Sequence, residues 1–130
     1  MKAKICVGGP HVTIVEEEAY NKEFDYGFVG DGEEAWEKFL LAQENKLTLS
    51  EVPGLMYREN GNIKKNKRAY TQKNLDIYPR AAYHLLKMGK YSMGTLYGQL
   101  PSSSIQTFRG CPWKCIFCAS DALETTKILK

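Results

Sequence analysis

No stretch of this 130-residue sequence stays apolar for anything near the length that crosses a bilayer, about 20 residues. A membrane-spanning helix is not expected. The first nine residues carry Lys2 and Lys4 but lack the long apolar stretch of a signal peptide. By default, the expected location is cytoplasmic. Charge of one sign is also scarce, with a net charge of only +3. The basic residues concentrate in residues 62–73, at Lys64, Lys65, Lys67, Arg68 and Lys73. They show no basic–aromatic arrangement that argues for nucleic acid. A solvated strand edge, on which lysines discourage aggregation, is the preferred reading of that run. There is no internal repeat and no low-complexity segment. The remaining composition, 43% hydrophobic and 25% charged, is that of an ordinary globular protein with length enough for one domain.

Cysteine is sparse too, at four residues, but three of them fall together. Cys111, Cys115 and Cys118 lie in Arg109-Gly110-Cys111-Pro112-Trp113-Lys114-Cys115-Ile116-Phe117-Cys118, a C-x3-C-x2-C spacing. Three thiolates this close can hold three corners of a cubane iron–sulfur cluster and leave the fourth iron open to a substrate or cosubstrate. Zinc is the competing metal, with His84 or His11 as a fourth ligand. Zinc modules usually show two separated C-x2-C pairs, and only one such pair is present. Three inert buried thiols are the remaining alternative. Free cysteines with cluster spacing suit a reducing compartment. Cys6 sits in a short apolar run and reads as a small core residue.

The order of elements reads as α/β. Residues 4–7 and 24–29 are strand candidates, each ending in glycines: Gly8-Gly9 and Gly30-Asp31-Gly32. One reading makes the two strands parallel neighbours with ligand-facing glycine loops at their carboxyl ends. Residues 12–14 continue the first loop, and 16–20 form a short helix. Residues 33–42 form a helix with Ala35, Trp36, Phe39 and Leu40 on one stripe. Asn60-Gly61 between residues 55–58 and 62–65 signals a hairpin. Residues 80–88 read as a short helix stopped by Gly89, and 90–104 as loop. A strand at 105–108, the cysteine loop and a helix at 120–130 match the first strand–loop–helix unit of a βα barrel, where active groups sit on the loops after strands.

The cysteine spacing, with Phe117 as the aromatic residue before the last cysteine, resembles the motif of the radical S-adenosylmethionine (SAM) enzymes. Arg109-Gly110-Cys111-Pro112 is similar to the opening found in one large branch of them. Val7-Gly8-Gly9-Pro10-His11-Val12-Thr13 resembles a strand end in the cobalamin-binding domain of the cobalamin-dependent branch. Phe24–Glu34 resembles the segment that follows it, with Asp31 where glutamate is usual. Pro53-Gly54-Leu55-Met56-Tyr57-Arg58 with Asn60-Gly61, and Leu75-Asp76-Ile77-Tyr78-Pro79-Arg80-Ala81, resemble the hairpin and the segment before the barrel. The pieces come in the family's order along nearly the whole chain.

The resemblance implies a partial Rossmann-like cobalamin-binding domain over residues 1–50, a connector with a β-hairpin over 51–104, and the start of a TIM-like radical SAM barrel over 105–130. Cys111, Cys115 and Cys118 would ligate a 4Fe-4S cluster. Its open iron would chelate SAM, which one electron would cleave to a 5′-deoxyadenosyl radical. Phe117 would pack near the SAM adenine. Gly8 and Gly9 would line the cobalamin tail, although an ordinary tight turn explains them as well. Trp113 and Lys114 either border the cluster or are merely exposed. The partners implied are a small-molecule substrate and a reductant such as flavodoxin or ferredoxin. Methyl transfer, cyclisation or oxidation at an unreactive carbon would follow.

The family's D-x-H-x-x-G motif, which carries the lower cobalt ligand, is absent, and His11 does not replace it. The later barrel strands are absent too. The chain therefore reads as an internal piece of a longer enzyme, inactive by itself. Two other readings stay open: a radical SAM enzyme without cobalamin, of methylthiotransferase type, and a non-catalytic metal-binding module.

Overall fold

Cys6–Val7 (β1) and Tyr26–Phe28 (β2) lie side by side and run parallel, with Cys6 opposite Tyr26 and Val7 opposite Gly27. The computed structural model describes residues 3–68, 74–91, 107–120 and 123. Parallel neighbours need a crossover. Here Pro10–Val15 (α1) and a 3-10 turn at Glu16–Ala19 supply it. Gly32–Gln43 (α2) follows β2. The chain then returns as Leu55–Glu59 (β3), antiparallel to β2, and Asn62–Lys65 (β4), antiparallel to β3. The result is a small α/β unit around a mixed four-stranded sheet in the order β1-β2-β3-β4.

Alternation along the strands divides the core between the two faces of the sheet. On one face, Phe28, Leu55 and Tyr57 pack with Ala35 and Phe39 of α2 and with Val52. Phe39 meets Tyr26 and Phe28 edge-on, at 4.7 and 5.3 Å between ring centroids, a favoured aromatic geometry. Trp36 and Leu40, from the same expected stripe, are only half covered. On the other face, Val12, Tyr20, Val29 and Met56 form the second cluster. Gly27 makes room for it, because a Cβ there would lie 2.7 Å from the Met56 methyl. The Tyr20 hydroxyl donates to the Asp25 carbonyl at 2.6 Å. The Arg58 guanidinium lies 4.5 Å over the Tyr20 ring.

The hairpin forms where Asn60-Gly61 places it. Both residues take positive φ, 51° and 81°, as a tight two-residue turn of this twist requires. β4 is an exposed edge strand. Lys65 pairs with Glu16, and Lys64 stands 3.9 Å from Glu59. The basic run is thus a solvated, ion-paired edge at Lys64 and Lys65 only; Lys67 is exposed beyond the strand, Arg68 is half-buried and turns back to Gly30, and Lys73 lies outside the described residues. Entry to the hairpin is tight. Gly54 donates to the Lys67 carbonyl at 3.0 Å, and its own carbonyl accepts from Val29 at 2.9 Å.

Four expected elements differ. Residues 12–14 are not loop but part of α1: Pro10 occupies its first turn, where a missing N–H is harmless, and Thr13 donates to the Gly9 carbonyl at 2.9 Å. Residues 16–20 form only the 3-10 turn at Glu16–Ala19. Residues 80–88 do not form one helix. The backbone leaves helical geometry at Ala82 and again at Leu86 and Lys87, giving 3-10 turns at Tyr83–Leu85 and Met88–Lys90. The segment buries no apolar stripe, and without packing so short a helix does not persist. Of the expected strand at 105–108, residues 105 and 106 lie outside the described residues; 107 and 108 are not in a strand, and Arg109 makes a lone bridge. The expected helix at 120–130 lies outside them except for Ser120 and Leu123, and the loop at 90–104 from residue 92 onward. No helix among the described residues is long and apolar enough to cross a membrane.

Candidate functional site

Because β1 and β2 are parallel, the glycine loops after them leave the sheet at the same end. The hydroxyl of Thr13, a buried side chain at 6% exposure, accepts from the Gly30 N–H at 3.0 Å and ties the two loops together. Gly8 lies against Phe28, with its ideal Cβ position 3.5 Å from the Phe28 Cβ. Gly9 is exposed, and nothing described lies within 4 Å of where its Cβ would be.

The second loop holds two arginines from distant parts of the chain. Gly30 takes φ +94°, and the Arg68 side chain fills the space a Cβ would need, its Nε 2.7 Å away. Arg68 then donates to the Leu123 carbonyl at 2.8 Å. Arg109, two residues before Cys111, donates to Glu33 Oε1 and lies 3.8 Å from Asp31. Its guanidinium also sits 5.8 Å from the centre of the Tyr78 ring. In the sequence, Asp31 and Glu33 stand out only as part of a motif and a helix start, and Arg68 only as part of a basic run. An acidic pair at a helix start and an arginine beside the cysteines were the available signals, but nothing local joins them.

The two acids respond oppositely to their surroundings. The Arg109 hydrogen bond holds the Glu33 carboxyl below its ordinary 4.5. Burial pushes Asp31 above its ordinary 3.8, against the pull of Arg109 and Arg68. Glu33 therefore adds stability above pH 4.5 that disappears as pH falls through its lowered folded value. Asp31, with a raised folded value, opposes folding once ionised. Glu33→Gln is expected to lower stability by about 1 kcal/mol at pH 7, a partly exposed pair being worth no more. It should also flatten the acid limb below pH 4.5. Asp31→Asn is expected to leave stability within about 0.5 kcal/mol or raise it. Urea unfolding at pH 7 and at pH 4 measures both, and equal losses would refute the contrast.

The cysteine loop hangs from Arg109. All four thiols are free, with Cys115 and Cys118 exposed and Cys111 and Cys6 partly covered. Cys118 donates its N–H to the Cys115 carbonyl at 3.0 Å, closing a turn. Its sulfur lies 3.0 Å from the Ser120 hydroxyl, a contact that pulls the thiol down, whereas burial pushes Cys6 up. A thiolate-rich, exposed sulfur reacts first. Limiting iodoacetamide is therefore expected to label Cys118 before Cys6, as peptide mapping reads directly; comparable labelling would contradict it. Beside the thiols, Trp113, Ile116 and Phe117 are strongly exposed, Phe117 at 89%. His11 and His84 are exposed as well.

Among the described residues, no three His, Cys, Asp or Glu side chains stand close enough together to hold a metal ion. The three thiols are neighbours along one loop without forming a ligand set. As donors the three free thiols suit a soft metal or an iron–sulfur cluster.

No family model matches the chain, and no solved structure does. Among curated proteins, an uncharacterized methyltransferase of Pyrococcus horikoshii is 32% identical over 89% of the chain and 25% of its own length. The anaerobic magnesium-protoporphyrin IX monomethyl ester cyclase of Synechocystis is 33% identical over 88% of the chain and 22% of its own length. The hopanoid C-3 methylase of Methylococcus capsulatus is 34% identical over 70% of the chain and 16% of its own length. The chain spans a quarter or less of each of these relatives. Over most of its length, then, this chain is similar to one segment of larger enzymes named as a methyltransferase, a methylase and a cyclase.

Proposed function

We propose that this chain is part of a cobalamin-dependent radical SAM enzyme, the part in which the end of a Rossmann-like cobalamin-binding domain (residues 1–50) passes through a connector (51–104) into the first unit of a TIM-like barrel (105–130). The observation that carries the proposal is the C-x3-C-x2-C loop, with all three thiols free and its leading arginine seated at the carboxyl end of the parallel strand pair. Cys111, Cys115 and Cys118 would hold a 4Fe-4S cluster. When bound, such a cluster supplies one electron and an iron with an open coordination position. Phe117 offers an exposed aromatic face one residue before Cys118, suited to the flat base of SAM. Gly8 and Gly9 present bare, exposed backbone to the same end of the sheet, suited to close approach by a cobalamin tail.

The names of the relatives, methyltransferase, methylase and cyclase, support methyl transfer or ring formation on a small molecule as the reaction of the whole enzyme. A flavodoxin- or ferredoxin-type protein would supply the electron. Metal analysis of the chain after anaerobic reconstitution tests the cluster assignment. Iron with matching acid-labile sulfide is the expected result. Stoichiometric zinc without sulfide replaces it with a metal-binding module. Retention of cobalamin by the longer enzyme tests the Gly8-Gly9 assignment, and its loss favours an enzyme of methylthiotransferase type.

A further inference from the structure

Arg109 is separated from Glu33 by 76 residues, yet it is hydrogen-bonded to that carboxylate, lies 3.8 Å from Asp31 and keeps only a quarter of its side chain exposed. Its neighbours in the cysteine loop are open by contrast: Trp113, Ile116 and Phe117 are all strongly exposed. The loop is thus anchored at its leading end at Arg109, through its side chain as well as its backbone bridge. A second tie lies on the far side of the thiols, where Arg68 passes over Gly30 and donates to the Leu123 carbonyl. Both ties meet at the same four residues, Gly30 to Glu33. Gly30 contributes the missing side chain that lets Arg68 through, and Asp31 and Glu33 contribute the charge that Arg109 needs.

We propose that the Gly30-Asp31-Gly32-Glu33 turn is a socket that positions the cysteine loop, with Arg109 and Arg68 as positioning residues that bracket Cys111, Cys115 and Cys118 and fix the loop against the end of the sheet. A carboxylate pair is a specific partner for a guanidinium, whose planar fork can serve both acids at once. The socket does not touch a reacting atom. It limits how far three thiols on an otherwise local loop must travel to gather around a ligand. The proposal deepens the cluster reading above and rests on it for its purpose, but the seating itself does not require a bound cluster.

Two measurements on the full chain separate these layers. The first uses the metal-free protein and trypsin, reading cleavage after Lys114 by mass spectrometry. Glu33→Gln lies outside the loop and leaves every tryptic site intact, and it is expected to speed that cleavage about fivefold, the effect of about 1 kcal/mol on the open population. Arg109→Gln should match it, Arg109→Lys should fall between, and Glu44→Gln, an exposed acid at the far end of α2 from Glu33, should leave it unchanged. Tryptic release within β3 and β4 reports global opening and should rise with the loss of overall stability, so Cys6→Ala, which lowers stability by a similar amount away from the socket, is the fold control and is expected to speed that release without speeding cleavage after Lys114. Wild-type cleavage after Lys114 in both Glu33→Gln and Arg109→Gln would overturn the socket.

The second measurement follows loss of iron to a chelator from reconstituted protein. It should also be about fivefold faster in Glu33→Gln and partly restored in Arg109→Lys, an effect that a role confined to folding would not produce while the sheet stays intact. Equal iron loss in all variants would mean the socket does not serve the thiols. A wild-type chain that takes up no iron and sulfide would instead remove the cluster reading, while the cleavage experiment still decides the seating.

Discussion

Replacing Cys111, Cys115 and Cys118 together with alanine is expected to abolish iron and acid-labile sulfide in the reconstituted chain and to leave its unfolding almost unchanged. The two halves of this expectation have different causes. Loss of metal follows because three thiolates are the only soft donors on the loop; once they are gone, exposed imidazole and carboxylate side chains are poor partners for a cluster. Retention of stability follows from position. Cys115 and Cys118 are exposed, and Cys111 is only partly covered. Neither packed cluster contains any of them. Surface changes of this kind stay within about 0.5 kcal/mol. Cys6→Ala is the opposite control: it packs against the α2-facing cluster, so it should keep the iron and lose about 1 kcal/mol. Stoichiometric iron and sulfide in the triple variant would sink the assignment of these cysteines.

Gly54→Ala is expected to destabilise the sheet by about 3 kcal/mol or more. Gly54 holds φ +65°, and a Cβ added there would stand 2.2 Å from the Val29 carbonyl oxygen. That oxygen is main chain and cannot rotate away. Relief would mean pulling the end of β2 from the entry to β3, which breaks the 2.9 Å bond from the Val29 N–H to the Gly54 carbonyl. Gly61→Ala isolates the backbone part of the penalty. Gly61 has φ +81°, but nothing described lies within 4 Å of its Cβ position. It should cost about 1 kcal/mol, the ordinary penalty for a left-handed residue. Urea midpoints of the two variants, compared at equal slope, measure the difference. Matching midpoints would show that the junction yields and that the close approach is not a constraint.

Local signals carried well in this sequence, and long-range ones did not. Asn60-Gly61 fixed the hairpin because a two-residue turn with both φ positive has few sequence solutions. The stripe Ala35, Trp36, Phe39 and Leu40 located α2, although only Ala35 and Phe39 prove buried, since periodicity gives a face but not how much of it is covered. Gly8-Gly9-Pro10 misled in the other direction. Glycine and proline together read as loop, yet proline in the first turn of α1 starts the helix there. The helix expected over 80–88 failed for want of a partner surface, a quantity no local window contains. The spacing of the thiols was visible in the sequence itself. Their anchor was not, because the pairing of Arg109 with Glu33 joins residues 76 positions apart and leaves no periodic trace.

That same separation fixes an order of events. Chains are made from the N-terminus at about 5–20 residues per second, and contacts between distant positions close late because the intervening loop must first be immobilised. The strands and α2 that shape the acidic turn are all complete by residue 65. Arg109 arrives afterwards, to a receptor already built. A cell assembling this protein would accordingly meet the thiols after the acidic turn is shaped, presented by a finished surface rather than by a nascent coil.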